Sequence, residues 1–99
     1  MNVMINSVHF KADRKLESFI REKLDKMPTF FDGVIGAEVV LKLINTDKPE
    51  NKEIEIRLVV RGDDLFARKQ AKTFEEATDT AIDALRTQIV RYKERVRGK

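Results

Sequence analysis

Residues 73–99, TFEEATDTAIDALRTQIVRYKERVRGK, decide the architecture of this chain. Thr73 and Glu76 have the spacing of a capping box, in which the threonine oxygen accepts from a first-turn N–H and the glutamate reaches back to the cap. No glycine or proline follows until Gly98. The pattern predicts one long C-terminal helix.

One face of this helix repeats every three or four residues, which predicts that it packs against a sheet. The face consists of Phe74, Ala77, Ala81, Leu85, Gln88, Tyr92 and Val96, widened by Ile82 and Ile89.

Charge is segregated along the same helix. Residues 73–85 sum to −4 and residues 86–99 to +5. The helix dipole favours this polarity but needs only one or two charges at each end, so the basic excess points to a polyanionic partner.

The bulk composition predicts one domain over residues 1–99, with one core and a strongly ionic surface. Hydrophobic residues make up 41% of the chain, charged residues 37%, and the net charge is +3. The chain has no cysteine, which excludes disulfides and thiolate chemistry. The N-terminus lacks the signal-peptide pattern, and no apolar run approaches the roughly 20 residues of a membrane span. We therefore expect a cytoplasmic protein.

The rest of the chain predicts one further helix and four strands. A helix begins after the N-cap Asp13 and ends before Pro28, with an apolar face at 16, 19, 20, 24 and 27. Alternating patterns predict strands over 1–7, 37–44, 52–61 and 65–72, with a loop over 29–36 and a hairpin loop at Gly62, Asp63 and Asp64.

The predicted order β-α-β-β-β-α indicates an α+β two-layer sandwich. The first two strands would be parallel through a right-handed crossover, and the later strands antiparallel. Both helices would cover one face of a four-stranded mixed sheet and leave the other face exposed to water.

Several segments, in this order and spacing, carry a resemblance to a known family. They are Asp13-x-x-Leu16-x-x-Phe19-Ile20 with Lys23 and Lys26, Phe31-Asp32, Val39-Val40-Leu41-Lys42, Phe74-x-x-Ala77-x-Asp79, and Ile82-Asp83-x-Leu85-x-x-Gln88-Ile89-x-Arg91-Tyr92-Lys93. Together they resemble the ribosome hibernation-promoting factors, also called ribosome-associated inhibitors and formerly sigma-factor modulators.

The resemblance implies a fold similar to double-stranded-RNA-binding domains. It also implies a protein that sits on the small ribosomal subunit, in the channel for messenger and transfer RNA, and blocks translation when growth slows. Long members of the family add a C-terminal dimerisation domain, and this chain resembles a short form. Ala84 and Thr87 stand where the family commonly has basic residues, so this chain departs there from two phosphate contacts that the resemblance implies.

The candidate RNA-binding residues are Lys23, Lys26, Arg91, Lys93 and Arg95. On a helical wheel Arg91 and Arg95 share one flank of the apolar face, and Lys93 and Arg86 share the other. We expect Lys23 and Lys26 to face Arg91 and Arg95 across a groove between the helices, where clustered cations would bind RNA phosphates. The alternative is a solvated face that only compensates the dipole.

For the other candidate residues, structural roles are the better explanation than catalysis or ligand binding. Glu75, Asp79 and Asp83 form an acidic stripe on one face, as metal ligands would, but carboxylates also stabilise the N-terminal half of a helix. A contact to a basic ribosomal protein is a minor alternative role for this stripe. His9 has no obvious Ser or Cys partner. Phe30 and Phe31 are suited either to stacking on bases or to anchoring the loop. We expect no enzymatic activity, metal, cofactor or small-molecule substrate.

Two functions follow. The first is a translation inhibitor that binds small-subunit RNA and acts by steric occlusion. The alternative is a protein–protein interaction module without an RNA role, whose interface is the exposed sheet face or a strand edge.

Overall fold

The computed structural model describes residues 2–27 and 33–97. Its elements are β1 Asn2–Val8, α1 Arg14–Asp25, β2 Val34–Leu43, β3 Lys52–Val60, β4 Asp63–Ala71 and α2 Phe74–Arg97. The sheet order is β1-β2-β3-β4, with β1 parallel to β2 and the other neighbours antiparallel. One hydrophobic core joins both helices to one face of the sheet. The predicted α+β architecture is confirmed.

Both helices begin at side-chain caps that the sequence predicted. The Asp13 carboxylate accepts from the N–H of Leu16 at 2.8 Å, and the Thr73 hydroxyl accepts from the N–H of Glu76 at 3.0 Å. The capping box at Thr73 is only half formed, because no bond between the Glu76 carboxylate and the Thr73 N–H is present among the described residues. Pro28, the predicted end signal of α1, lies outside the described residues.

β2 begins at Val34, within the segment predicted as a loop. Gly36 was interpreted as a loop residue, but it pairs with Asn2 of β1. A Cβ atom at Gly36 would lie 2.9 Å from the Asn2 carbonyl oxygen, so only glycine permits this close approach. The register shifts between Val34 and Gly36, which leaves Ile35 62% exposed. Gly36 therefore lies in a bulge at the start of β2 and does not end a loop.

The turn between β3 and β4 is tighter than predicted. Val60 pairs with Asp63, so the turn consists of Arg61 and Gly62 alone. Gly62 has φ +78°, a conformation that glycine adopts without steric cost. Because one glycine suffices for the turn, Asp63 and Asp64 already belong to β4.

The apolar face of α2 is buried as predicted, with Leu85 and Ala81 fully inaccessible. Val96 is the exception and is 62% exposed. The Tyr92 hydroxyl donates to the carbonyl of Arg61 at the hairpin end of the sheet. A helix of this length spans about 36 Å and a strand of β4 length about 30 Å. The last turn of α2 therefore projects beyond the sheet. Of the two described helices, neither has the length and apolar content that a bilayer span requires.

The open face of the sheet carries charges that pair with one another. Lys42 and Arg68 lie 3.1 and 3.2 Å from the Glu55 carboxylate. Arg57 lies 3.5 Å from Glu38. Partial burial raises the pKa of the Glu55 carboxyl, but the hydrogen bonds and charges of Lys42 and Arg68 outweigh it and hold that pKa below its ordinary value.

This network predicts an acid-sensitive contribution to folding stability. Since the pKa of Glu55 is lower in the folded chain, its contribution is fully present above the unfolded pKa of about 4.3 and is lost as pH falls through the folded pKa. Glu55→Gln should therefore lower the free energy of unfolding at pH 7, and the difference from wild type should shrink below about pH 4. Urea unfolding across this range measures it. Glu50→Gln, in the exposed turn before β3, is the matched control. A Glu55→Gln deficit that stays constant with pH would contradict the assignment.

Candidate nucleic-acid interface

The two flanks of α2 face different parts of the fold. On one flank the Lys23 ammonium of α1 lies 3.2 Å from the Asp79 carboxylate. On the other flank the Arg95 guanidinium lies 3.1 Å from the Asp63 carboxylate at the start of β4. We call these the α1 flank and the hairpin flank.

This arrangement shows that the predicted groove is wrong: Lys23 does not face Arg91 or Arg95. Arg91 lies about 18 Å beyond Asp79 along the helix axis, at about 1.5 Å per residue. It also lies on the hairpin flank, where it lines the same cavity as Asp63 and Arg95. A helical wheel shows which residues share a face of α2. Which flank meets α1 is set by packing.

The hairpin flank holds a shallow cavity of about 340 Å³, lined by Asp63, Asp64, Leu65, Gln88, Arg91 and Arg95. The Arg95 side chain is 66% exposed, and its guanidinium also lies 5.7 Å from the centre of the Tyr92 ring. Arg91 is exposed, and within the described residues its guanidinium forms no hydrogen bond or ion pair. One unpaired and one partly paired guanidinium, a single helical turn apart, suit a phosphate group.

Gln88 anchors this flank of α2 to the edge of the sheet. The sequence pattern did not indicate this role, because it placed Gln88 on the apolar face. Its amide nitrogen donates to the Phe66 carbonyl at 2.7 Å, and its amide oxygen accepts from the Phe66 N–H at 3.1 Å. The side chain thus satisfies both outward main-chain groups of Phe66 on the edge strand β4. The signal in the sequence was one amide on an otherwise apolar helix face.

The α1 flank carries the other nominated residues. The Lys23 ammonium lies 5.4 Å from the centre of the Phe19 ring as well as beside Asp79. Lys26 follows one turn later and is exposed, and Lys93 lies further along α2, half-buried. Lys93 is two residues from Arg91, about 200° around the helix, and so lies on the opposite flank. The five nominated residues therefore fall on two flanks. Lys23 and Lys26 lie on the α1 flank, with Lys93 about 21 Å beyond Asp79 along that flank, and Arg91 and Arg95 lie on the hairpin flank.

The acidic stripe of α2 has basic neighbours. Asp79 pairs with Lys23, and Asp83 lies 3.5 Å from Arg86. Across residues 2–27 and 33–97, no three His, Cys, Asp or Glu side chains are grouped as metal ligands. His9 is exposed with φ 71° just after β1, where it helps the chain turn away from the sheet.

The two departures from the family pattern have different environments. Ala84 is half-buried against the core, whereas Thr87 is exposed and its hydroxyl donates to the carbonyl of Asp83 at 3.4 Å. Phe30 and Phe31, the candidate stacking residues, lie outside the described residues.

Comparison with known proteins agrees with the fold. The chain matches the family model described as "Sigma 54 modulation protein / S30EA ribosomal protein" over residues 3–97. The ribosome hibernation promoting factor of Pseudomonas putida is 26% identical over 95 residues, covering 96% of this chain and 89% of that protein. The factor of the same name from Azotobacter vinelandii is 24% identical, with 96% and 85% covered.

Two solved structures share the fold. The Thermus thermophilus Protein Y N-terminal domain superposes with a TM-score of 0.80 at 24% identity, covering 93% of this chain and 99% of that one. A ribosomal subunit interface protein from Coxiella burnetii gives 0.83 at 15% identity, covering 94% and 98%.

The family match spans nearly the whole chain and includes both helices that carry the two basic groups. The chain therefore belongs to the Sigma 54 modulation protein / S30EA ribosomal protein family, the family of the ribosome hibernation-promoting factors.

Proposed function

We propose that residues 1–99 form a single ribosome-binding domain that inhibits translation. It would bind the small ribosomal subunit through ribosomal RNA, in the channel for messenger and transfer RNA, and act by steric occlusion in the cytoplasm. Membership in the hibernation-factor family supports the ribosomal part of this proposal. The experiments below test binding to the small subunit and the RNA contacts.

The observation that carries the proposal is the hairpin flank of α2. Arg91 has no partner among the described residues, and Arg95 has only an exposed carboxylate and a ring beside it. Both project from a helix whose rotation is held by Gln88 and Tyr92. Rigidly presented guanidiniums are suited to orienting a protein on an RNA backbone.

Two basic groups on opposite flanks of α2 favour folded RNA as the ligand. Contacts from the α1 flank and the hairpin flank would engage two separate backbone segments. Recognition of that kind depends on RNA shape more than on base sequence. The open face of the sheet is a weaker candidate surface for RNA, because its basic residues Lys42, Arg57 and Arg68 all pair with carboxylates, whereas the hairpin flank also presents Arg91.

The first prediction is that Arg91→Glu with Arg95→Glu abolishes binding to small subunits while the fold stays intact. Both side chains are exposed, and reversal adds repulsion to the loss of two contacts. Co-sedimentation with purified subunits at near-physiological salt measures binding, and circular dichroism measures folding. Lys48→Glu with Lys72→Glu makes the same charge change at exposed positions outside both helices and should bind as wild type. Unchanged co-sedimentation of the Arg91 and Arg95 variant would reject the site.

The second prediction is that Asp63 restrains Arg95 in the free protein. Asp63→Asn removes the competing charge but keeps the oxygen that accepts the Asp64 N–H at 2.8 Å. Affinity for small subunits should rise by at most about fivefold, because an exposed ion pair contributes up to about 1 kcal/mol. Asp47→Asn, in the exposed turn after β2, makes the same charge change and should have a smaller effect. Equal gains for the two variants would show that net charge alone acts.

The third prediction concerns salt dependence. Each neutralised phosphate contributes a slope of about −0.7 to −0.9 in log K against log salt. Ala84→Lys with Thr87→Arg restores the family pattern beside Arg91 and should make the slope steeper by roughly one to two units. The same pair of substituents at Asn45 and Thr46, in the exposed turn after β2, gives an equal charge gain. Equal slopes for the two double variants would rule out a defined patch.

A further inference from the structure

The sheet has two edge strands, β1 and β4, and the structure protects them unequally. An edge strand presents N–H and C=O groups that another strand can bond. On β4 the Gln88 amide occupies both groups of Phe66, and the Asp63 carboxylate accepts the Asp64 N–H. Charged side chains, among them Arg68, continue along β4. Such charges discourage pairing with a further strand.

On β1, the Arg21 guanidinium caps one outward carbonyl, that of Val3, and the strand itself carries no charge. Its sequence from Asn2 to Val8 is NVMINSV, with no charged residue, no proline and no glycine. Met4, on the open face of the sheet, is 55% exposed. An uncharged, regular edge of this kind is the type that other strands pair with.

Two contacts show which main-chain N–H and C=O groups of β1 point away from β2. The Asn2 carbonyl points toward β2, where it is the nearest atom to a Cβ built at Gly36. The next carbonyl, of Val3, points the other way and accepts from the Arg21 guanidinium at 3.0 Å. Because alternate residues point the same way, Val3, Ile5 and Ser7 direct their main-chain groups outward. Among the described residues, no side chain hydrogen-bonds the main chain of Ile5.

We propose that the β1 edge pairs with β1 of a second copy of this chain, antiparallel about Ile5. In this register Val3 faces Ser7 of the second copy, and Ile5 faces its own equivalent. The outward groups of the two strands then meet and form about six main-chain hydrogen bonds. The arrangement is two-fold symmetric and closed, so it gives dimers and no fibres.

A second copy is the occupant that the strand favours, because an uncharged strand pairs with itself without placing like charges opposite each other. A charged peptide would find no complementary side chain on β1. Arg21 competes for the Val3 carbonyl and must release it when the strands pair, so the dimer is weak. The inference does not depend on ribosome binding, because the proposed RNA contacts lie on the helices.

Analytical ultracentrifugation from micromolar to millimolar concentration tests the dimer. The weight-average mass of the wild type should rise toward that of a dimer, and Arg21→Ala should reach the midpoint at a several-fold lower concentration.

Met4→Lys with Asn6→Lys places ammonium groups of the two copies opposite each other and should prevent association. Within the sheet, position 4 pairs with Glu38, whose carboxylate accommodates the added charge, so the monomer is retained. Thr80→Lys with Val90→Lys, at exposed sites on α2, makes the same charge change and should dimerise as wild type.

Amide hydrogen exchange of the wild type gives a readout that does not depend on variants. The N–H groups of Ile5 and Ser7 should exchange more slowly as the protein concentration rises. Exchange that is independent of concentration, or a wild type and an Arg21→Ala variant that remain monomeric throughout, would overturn the proposal. Association that survives Met4→Lys with Asn6→Lys would also overturn it, because the contact would then lie elsewhere.

Discussion

The bidentate contact between Gln88 and the main chain of Phe66 is the constraint on which the proposed RNA-binding surface depends. It ties the middle of α2 to the edge of β4, and the hydroxyl of Tyr92 ties the next turn to the hairpin at Arg61. Together with the buried apolar face, these two contacts fix the rotation of α2 about its own axis. That rotation in turn determines which basic residues lie beside α1 and which lie beside the hairpin.

The consequence is that one basic residue on each flank of α2 pairs with a carboxylate. Asp79 holds Lys23 on the α1 flank, and Asp63 holds Arg95 on the hairpin flank. Exposed pairs of this kind are weak, so a phosphate can displace either carboxylate at little cost. The two cations project from helices, Lys23 from α1 and Arg95 from α2.

Most of the fold could be predicted from the sequence, because local signals agreed with one another. Asp13 and Thr73 marked the helix starts, and strand alternation located the buried face of the sheet. The errors lay where a distant element decides the outcome. Gly36 was interpreted as a loop residue because propensity cannot show that a neighbouring strand needs its missing side chain. Val96 was placed in the core because periodicity continues after the sheet beneath it has ended.

The sequence by itself determined the elements, the family and the set of basic residues on α1 and α2. Only the tertiary structure decided how those residues are grouped, that Asp63 and Asp79 are their partners, and that Arg21 and Gln88 cap opposite sheet edges. The physical reason is that helical periodicity fixes angles within one helix. The angle between two helices, and the level at which they meet, follow from side-chain packing and main-chain hydrogen bonds between residues far apart in the chain.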